Sequence, residues 1–283
     1  MTRRRKLEHH RQNLAEIRDI MNSMKTLAYM ETRKLTRFLD AQQAVVHGIE
    51  DVATDLLSFY PEAMPEAKET LPVYILIGTE RGFCGDFNHA LLKHLESALQ
   101  EQSQGNPVLI AIGRKLYTLL EMDERIVAQI NGASLVEEVA SVLIQVVSEL
   151  SSLQEQHRML TVYGLYRGGD EGMIVKILLP PFQHLPHQAP PFPHPPILHQ
   201  TPQEFLTELT DYYLFAALHE MLYTSLMAEN HQRVVHLEGA VKHLDDQSAG
   251  LAQQCNALRQ AEIIEEIEVI LLSAASLDES PTL

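Results

Sequence analysis

Hydrophobic positions recur every three to four residues through the first sixty positions. Counting in sevens gives Leu7, Leu14, Met21, Ala28, Leu35, Gln42, Ile49 and Leu56. A companion row, three residues on, gives His10, Ile17, Met24, Glu31, Phe38, Val45, Val52 and Phe59. Thirteen of these sixteen are apolar, and a 3-4 spacing kept over eight heptads is the pattern of a coiled-coil helix. Pro61 and Pro65 end it. At the other end of the chain, Leu237, Leu244, Leu251 and Leu258 are seven apart, interleaved with Val234, Val241, Ser248 and Cys255. The stripe then shifts to Ile263, Ile264, Ile267, Ile270 and Leu271, and no proline falls between Pro202 and Pro281. A helix of about 70 residues would be roughly 100 Å long. That is more than one domain covers with its own core, so it needs a partner helix. The two end helices can pair antiparallel, or each can bind another chain.

Between them the pattern changes. Pro72 opens a short buried-type strand that ends at Gly78, and Pro107 opens a second. An amphipathic stretch runs from Phe87 to about Gln102, a short helix from Arg114 to Met122, and a weak strand from Arg125 to Gln129. Ser134 to Leu153 is expected to be a helix, with Ser134 as N-cap and Glu137 completing a capping box. Two alternating runs around Gly168-Gly169-Asp170 predict a hairpin. Strands alternating with helices give an α/β unit with a five-strand, mostly parallel sheet. The expected organisation is a coiled-coil helix over 1–60, an α/β domain over 70–180, a connector over 181–202, and a long helix over 203–278.

Nine of the 14 prolines lie in 180–202, so this stretch predicts an extended connector. Its His184, His187, His194 and His199 have no rigid frame in which to converge on a metal. Candidate chemistry elsewhere is sparse. Gly113-Arg114-Lys115 lacks the leading glycine and the hydroxyl of a phosphate-binding loop. Cys84 follows the first strand, where α/β enzymes place reactive groups, and His89 is close in sequence. A buried thiol in a tight turn is the plainer expectation. Glu137-Glu138, Asp245-Asp246 and Glu265-Glu266 are sequence neighbours, and on a helix such neighbours diverge by about 100° rather than forming a dyad. No active site, cofactor or metal is expected on this chain.

The 283 residues are 45% hydrophobic and 21% charged, which excludes wholesale disorder. No apolar run is long enough to span a membrane. The basic N-terminus has no apolar stretch behind it, unlike a secretory signal. Two cysteines, Cys84 and Cys255, give no disulfide framework and fit a reducing compartment. A net charge of −16 argues against a nucleic-acid partner. That charge is uneven: residues 1–37 carry +6, 38–202 carry −11, and 203–283 carry −11. A basic first helix and an acidic last one attract each other across a coil.

Four stretches resemble the gamma subunit of F-type ATP synthases, and the likeness spans the chain. Thr79-Glu80-Arg81-Gly82-Phe83-Cys84-Gly85-Asp86-Phe87-Asn88 is similar to the family's S/T-D-R-G-L-C-G-G-x-N. Asn256 to Ile267 resembles N-K-A-R-Q-A-x-I-T-Q-E-I, and Ala274-Ala275-Ser276-Leu277 resembles the closing A-A-A-L/V. The Tyr212–Ala228 stretch with Glu229-Asn230-His231 and Arg233 is similar to A-L-x-E-S-x-A-S-E-H-x-A-R. The first helix departs most: in the run Asp19 to Lys34, only Lys25 and Lys34 remain as basic anchors. Glu80, Asp86 and Ile264 also differ from the family residues. Such departures fit a divergent branch, of the kind of the alternate ion-translocating ATPases some bacteria carry.

The resemblance implies a central-stalk rotor without catalytic residues, coupling ion flow through a membrane ring to ATP synthesis or hydrolysis on the beta subunits. Its partners would be the alpha and beta subunits of the catalytic hexamer, the epsilon subunit and the c-subunit ring. Its place would be peripheral, on the cytoplasmic face of a bacterial plasma membrane. Lys25, Lys34, Arg259, Gln260 and Glu266 would meet beta. Arg81, Gly82, Cys84, Gly85 and Asn88 would lie in the foot that meets epsilon and the c ring. The alternative is a coiled-coil adaptor with an α/β partner-binding head and no ATPase role.

Overall fold

Strands with apolar residues on both faces need cover on both sides, and the middle of the chain supplies it. A computed structural model describes residues 3–64, 70–102, 106–157, 159–169, 172–185 and 193–278. Pro65, Asp170, His187 and Pro281 lie outside the described residues, as do the side chains of Ala274 to Leu277. In chain order the elements are α1 (Arg3–Phe59), β1 (Leu71–Ile77), α2 (Phe87–Gln102), β2 (Val108–Ile112) and α3 (Arg114–Leu120). Then follow β3 (Ile126–Ile130), α4 (Val139–Gln156), β4 (Leu160–Arg167), β5 (Met173–Leu179) and α5 (Pro202–Asp278). They form two compact units, residues 28–234 and residues 1–27 with 235–283, so α1 and α5 each contribute to both.

In residues 28–234 the five strands run in the order β3-β2-β1-β4-β5. The β1–β2, β1–β4 and β2–β3 pairs are parallel, and β5 is antiparallel to β4. Side chains alternate across the sheet. Val73, Ile75 and Ile77 face a core shared with α1, α4 and α5, where Leu35, Val146 and Tyr213 are fully enclosed. Tyr74 and Leu76 face α2 and α3 through Leu91, Leu95 and Leu116, with Tyr74 stacked on Tyr163 at 4.7 Å. Gly164 of β4 has no side chain because Met221 of α5 fills that space: a Cβ there would fall 1.9 Å from its terminal methyl.

The start of α5 carries a reciprocal cap. Thr201 Oγ1 accepts from the Glu204 amide at 3.3 Å, and the Glu204 carboxylate accepts from the Thr201 amide at 3.0 Å. Pro202 follows as the first helical residue, where its missing N–H costs nothing. The start of α4 differs from the expected cap. Glu138, not Glu137, accepts the amides of Ser134 (2.6 Å) and Leu135 (3.3 Å), and Ser134 provides no side-chain cap. A 3-10 turn, Val136–Glu138, precedes the helix and shifts its start. Glu137 instead pairs with Lys34.

The inward face of α1 in this unit also differs from the heptad reading. Leu35, Leu39, Val46, Ala53 and Leu56 are buried, whereas Phe38, Val45 and Val52 of the companion row are 44–50% exposed. Here α1 packs into a layered core rather than against a single helix. The buried row falls one residue later because a straight helix drifts against a strict seven-residue repeat.

In residues 1–27 with 235–283 the two helices run antiparallel. Arg4 Nε donates to Glu262 at 2.9 Å and Arg18 Nη1 to Asp245 at 3.3 Å. Leu14, Leu237 and Cys255 are buried, and Leu7, Met21, Leu244, Leu251 and Leu258 are half-buried. This is the expected seam, with the basic segment opposite the acidic one.

Candidate functional site

The segment after β1 is short and polar, with Gly78, Thr79, Glu80 and Cys84 buried and Arg81, Phe83, Gly85 and Asp86 exposed. Gly78 leads it: a Cβ there would meet Asn88 Oδ1 and Leu116 Cβ, both at 2.8 Å. Thr79 and Asn88 lock the turn, with the Thr79 amide donating to Asn88 Oδ1 (3.0 Å) and Asn88 Nδ2 donating to Thr79 Oγ1 (2.9 Å). Glu80 is 5% exposed. Its carboxylate accepts the amides of Arg114 (3.0 Å) and Gly132 (2.8 Å) and pairs with the Arg114 guanidinium. Phe83 and Gly85 adopt left-handed backbone, φ 65 and 63. This turns Phe83 outward and Cys84 inward.

A row of polar residues on α5 meets this loop. Ser225 Oγ donates to the Ile77 carbonyl at 3.3 Å. The Glu229 carboxylate accepts the amides of Glu80 (3.1 Å) and Arg81 (3.0 Å) and pairs with Arg233. Arg233 also donates to the Gly82 carbonyl (3.2 Å) and Asn230 Oδ1 (2.8 Å). Glu229 and Arg233 are each 3% exposed. Burial pushes the Glu229 carboxyl above its ordinary value, against the Arg233 guanidinium and the two amides that favour its ionised form. Burial, reinforced by the Glu229 charge, pushes the Cys84 thiol up to about 12. Cys84 is a thiol packed against Phe87 and Ala228, in a setting that disfavours its thiolate.

The residues expected to meet partners fall into distinct settings. In the loop, Arg81 and Gly85 are exposed and Gly82 is half-buried, whereas Cys84 and Asn88 are buried. On α1, Lys25 is half-buried, and Lys34 is engaged by Glu137. On α5, Arg259, Gln260 and Glu266 are exposed. Ile263, Ile264, Ile267, Val269, Ile270, Leu271 and Leu272 are exposed beside them by 46–72%. Among the described residues, no group of His, Cys, Asp or Glu is arranged to hold a metal ion, and no helix is long and apolar enough to cross a membrane.

The meeting of Glu229 and Arg233 with the loop was not evident in the sequence. Its signal was present, since Ser225, Glu229 and Arg233 recur every four residues on the same helix face as the apolar Leu222 and Leu226. Charged residues on an inward stripe need partners.

The family model for ATP synthase matches residues 3–277. The chain belongs to the gamma-chain family of ATP synthase. It is a central-stalk subunit of the F-type enzyme. A gamma chain of Caldanaerobacter subterraneus subsp. tengcongensis is 22% identical, over 93% of this chain and 96% of that one. The Pelotomaculum thermopropionicum gamma chain is 27% identical, over 97% and 99%. A chain of the Euglena gracilis mitochondrial ATP synthase structure, in a complex described as OSCP/F1/c-ring, shares the fold. Its TM-score is 0.60 at 15% identity, covering 99% of this chain and 97% of that one. Within this family fold, the loop after β1 and the 225–233 segment of α5, two of the sequence stretches that carry the likeness, pack on each other.

Proposed function

We propose that this gamma chain is the turning shaft of its ATP synthase, working on a bacterial plasma membrane from the cytoplasmic side. Its helices stand within the hexamer of alpha and beta subunits, and its α/β sheet domain bears on the epsilon subunit and the ring of c subunits. The observation that carries this reading is the exposed apolar run Ile263–Leu272, with Arg259, Gln260 and Glu266 exposed beside it. Apolar surface of this kind marks a place where another protein sits. Arg259, Gln260 and Glu266 supply breakable polar contacts to beta, and Lys25 and Lys34 meet acidic beta segments. For Lys34 this means exchanging Glu137 for a partner carboxylate, a small cost between exposed groups. At the foot, Arg81, Gly82 and Gly85 offer surface, while Cys84 and Asn88 hold the loop that presents them.

Purification of the tagged chain at native expression tests the assignment. Recovery of one copy with three alpha and three beta subunits is expected. A stable homodimer without them would point to the adaptor instead.

A further inference from the structure

We infer that Glu229 and Arg233 are positioning residues that fix the rotational setting of α5 on the α/β sheet. The inference rests on the rotor reading above. In sheets of this topology the crevice beyond the carboxyl ends of the strands, beside the first strand, is where ligands bind. Here backbone amides in that crevice are occupied from within the chain. Glu80 occupies the amides of Arg114 and Gly132, and Glu229 occupies those of Glu80 and Arg81. Glu229 is thus an internal ligand, delivered by α5 into the loop after β1. Most of the rest of the α5 footprint is apolar, with Leu209, Tyr213, Ala217, Met221 and Leu226 in the shared core, beside one hydroxyl contact from Ser225 to Ile77 and a part-exposed pair of Glu220 with Lys176 of β5. Apolar burial holds a helix down but is non-directional. Charge-assisted hydrogen bonds to fixed backbone amides and a carbonyl set direction as well. Glu229 and Arg233 make three such contacts with the loop at 3% exposure each, where screening by water is least. A helix turned by one residue would move Glu229 by about 100° and lose them all. The pair therefore fixes how α5 is seated on the sheet and stiffens that seat against twist.

The test uses the assembled hexamer carrying this chain. A Met122→Cys substitution takes the rotation probe, because Met122 is 95% exposed and both native thiols are buried. Single-molecule rotation during ATP hydrolysis gives the angular spread at each dwell. Glu229→Gln keeps the shape and loses the charge. It is expected to widen the angular variance at least about twofold, as charged hydrogen bonds weaken, while the hydrolysis rate stays near that of the parent. Arg233→Lys, which keeps a charge but not the fork, widens it less. Formate added to Glu229→Ala narrows the spread again, an effect that general destabilisation would not show. A Glu229→Gln complex with the parent variance overturns the inference. So does a Glu229→Gln chain that fails to assemble while Arg233→Lys assembles with the parent variance. Failure of the parent chain to enter any hexamer would instead remove the rotor reading, which keeps the two failures distinguishable.

Discussion

Residues 28–234 bury both faces of a sheet, with Val73, Ile75, Leu76, Leu109 and Ile110 wholly enclosed. Residues 1–27 with 235–283 are built differently. Among their described residues only Leu14, Leu237 and Cys255 are buried, while Ile17, Ile20, Leu27, Val235 and seven apolar residues between Ile263 and Leu272 are exposed. The first unit has a core of its own, of the kind that supports independent stability. The second has a seam one side chain deep, and two paired helices with so little burial are marginal by themselves. Its ion pairs Arg4–Glu262 and Arg18–Asp245 are exposed, so they set register more than they add strength. The contrast separates a part with a core of its own from a part with only a thin seam.

The harshest way to break the contrast is inside the sheet unit. Gly113 has φ 109, and a Cβ there would lie 2.8 Å from the Thr79 carbonyl oxygen. Gly113→Val is expected to cost about 3 kcal/mol or more, read as a lowered melting temperature of the sheet unit or loss of soluble chain. A near-parental melt would show that this loop yields more than its packing implies. Next is the seam. Leu237 is fully buried, and Leu237→Ala is expected to cost about 2–3 kcal/mol. Amide exchange should quicken across 235–258 and stay unchanged in β1 and β2. Equal acceleration in both would mean that the two units do not differ as described.

The smallest effect is electrostatic and lies on the surface of the sheet unit. The Lys34 ammonium holds the Glu137 carboxyl below its ordinary value. A depressed carboxyl contributes stability above its unfolded pKa and loses it as pH falls through the folded one. Glu137→Gln should therefore leave the melt slightly lower at neutral pH and indistinguishable from the parent in strong acid. A difference that persists in acid would assign the effect to something other than this pair.

Much of this was legible in the sequence, for reasons that differ by region. The seam of the second unit followed from spacing alone, because Leu237, Leu244, Leu251 and Leu258 meet one partner helix and a seven-residue repeat describes that geometry. The same rule failed for Phe38, Val45 and Val52, where α1 meets a sheet and another helix at once. The five-strand, mostly parallel sheet was readable from short apolar runs between helices. The cap of α4 was not, since Glu137 and Glu138 are equally suitable neighbours and a 3-10 turn decided between them. The Thr201-Pro202-Gln203-Glu204 box was present in the letters but masked by the prolines around it. The joining of Glu229 and Arg233 to the loop at 79–85 spans about 150 residues of sequence. No local pattern specifies such a pairing. The expected contacts at Cys84 and Asn88 came from resemblance, which marks residues that matter without telling whether they face outward.

The native cysteines place one thiol in each unit, so their labelling in the free chain and in the assembled complex is the most direct measurement. The account predicts that in the free chain Cys255, buried in a seam one side chain deep, reacts faster than Cys84, equally buried but with its thiol pushed up to about 12. It further predicts that assembly slows Cys255 and leaves Cys84 unchanged. Equal rates in the free chain, or a Cys255 rate that assembly does not alter, would contradict it.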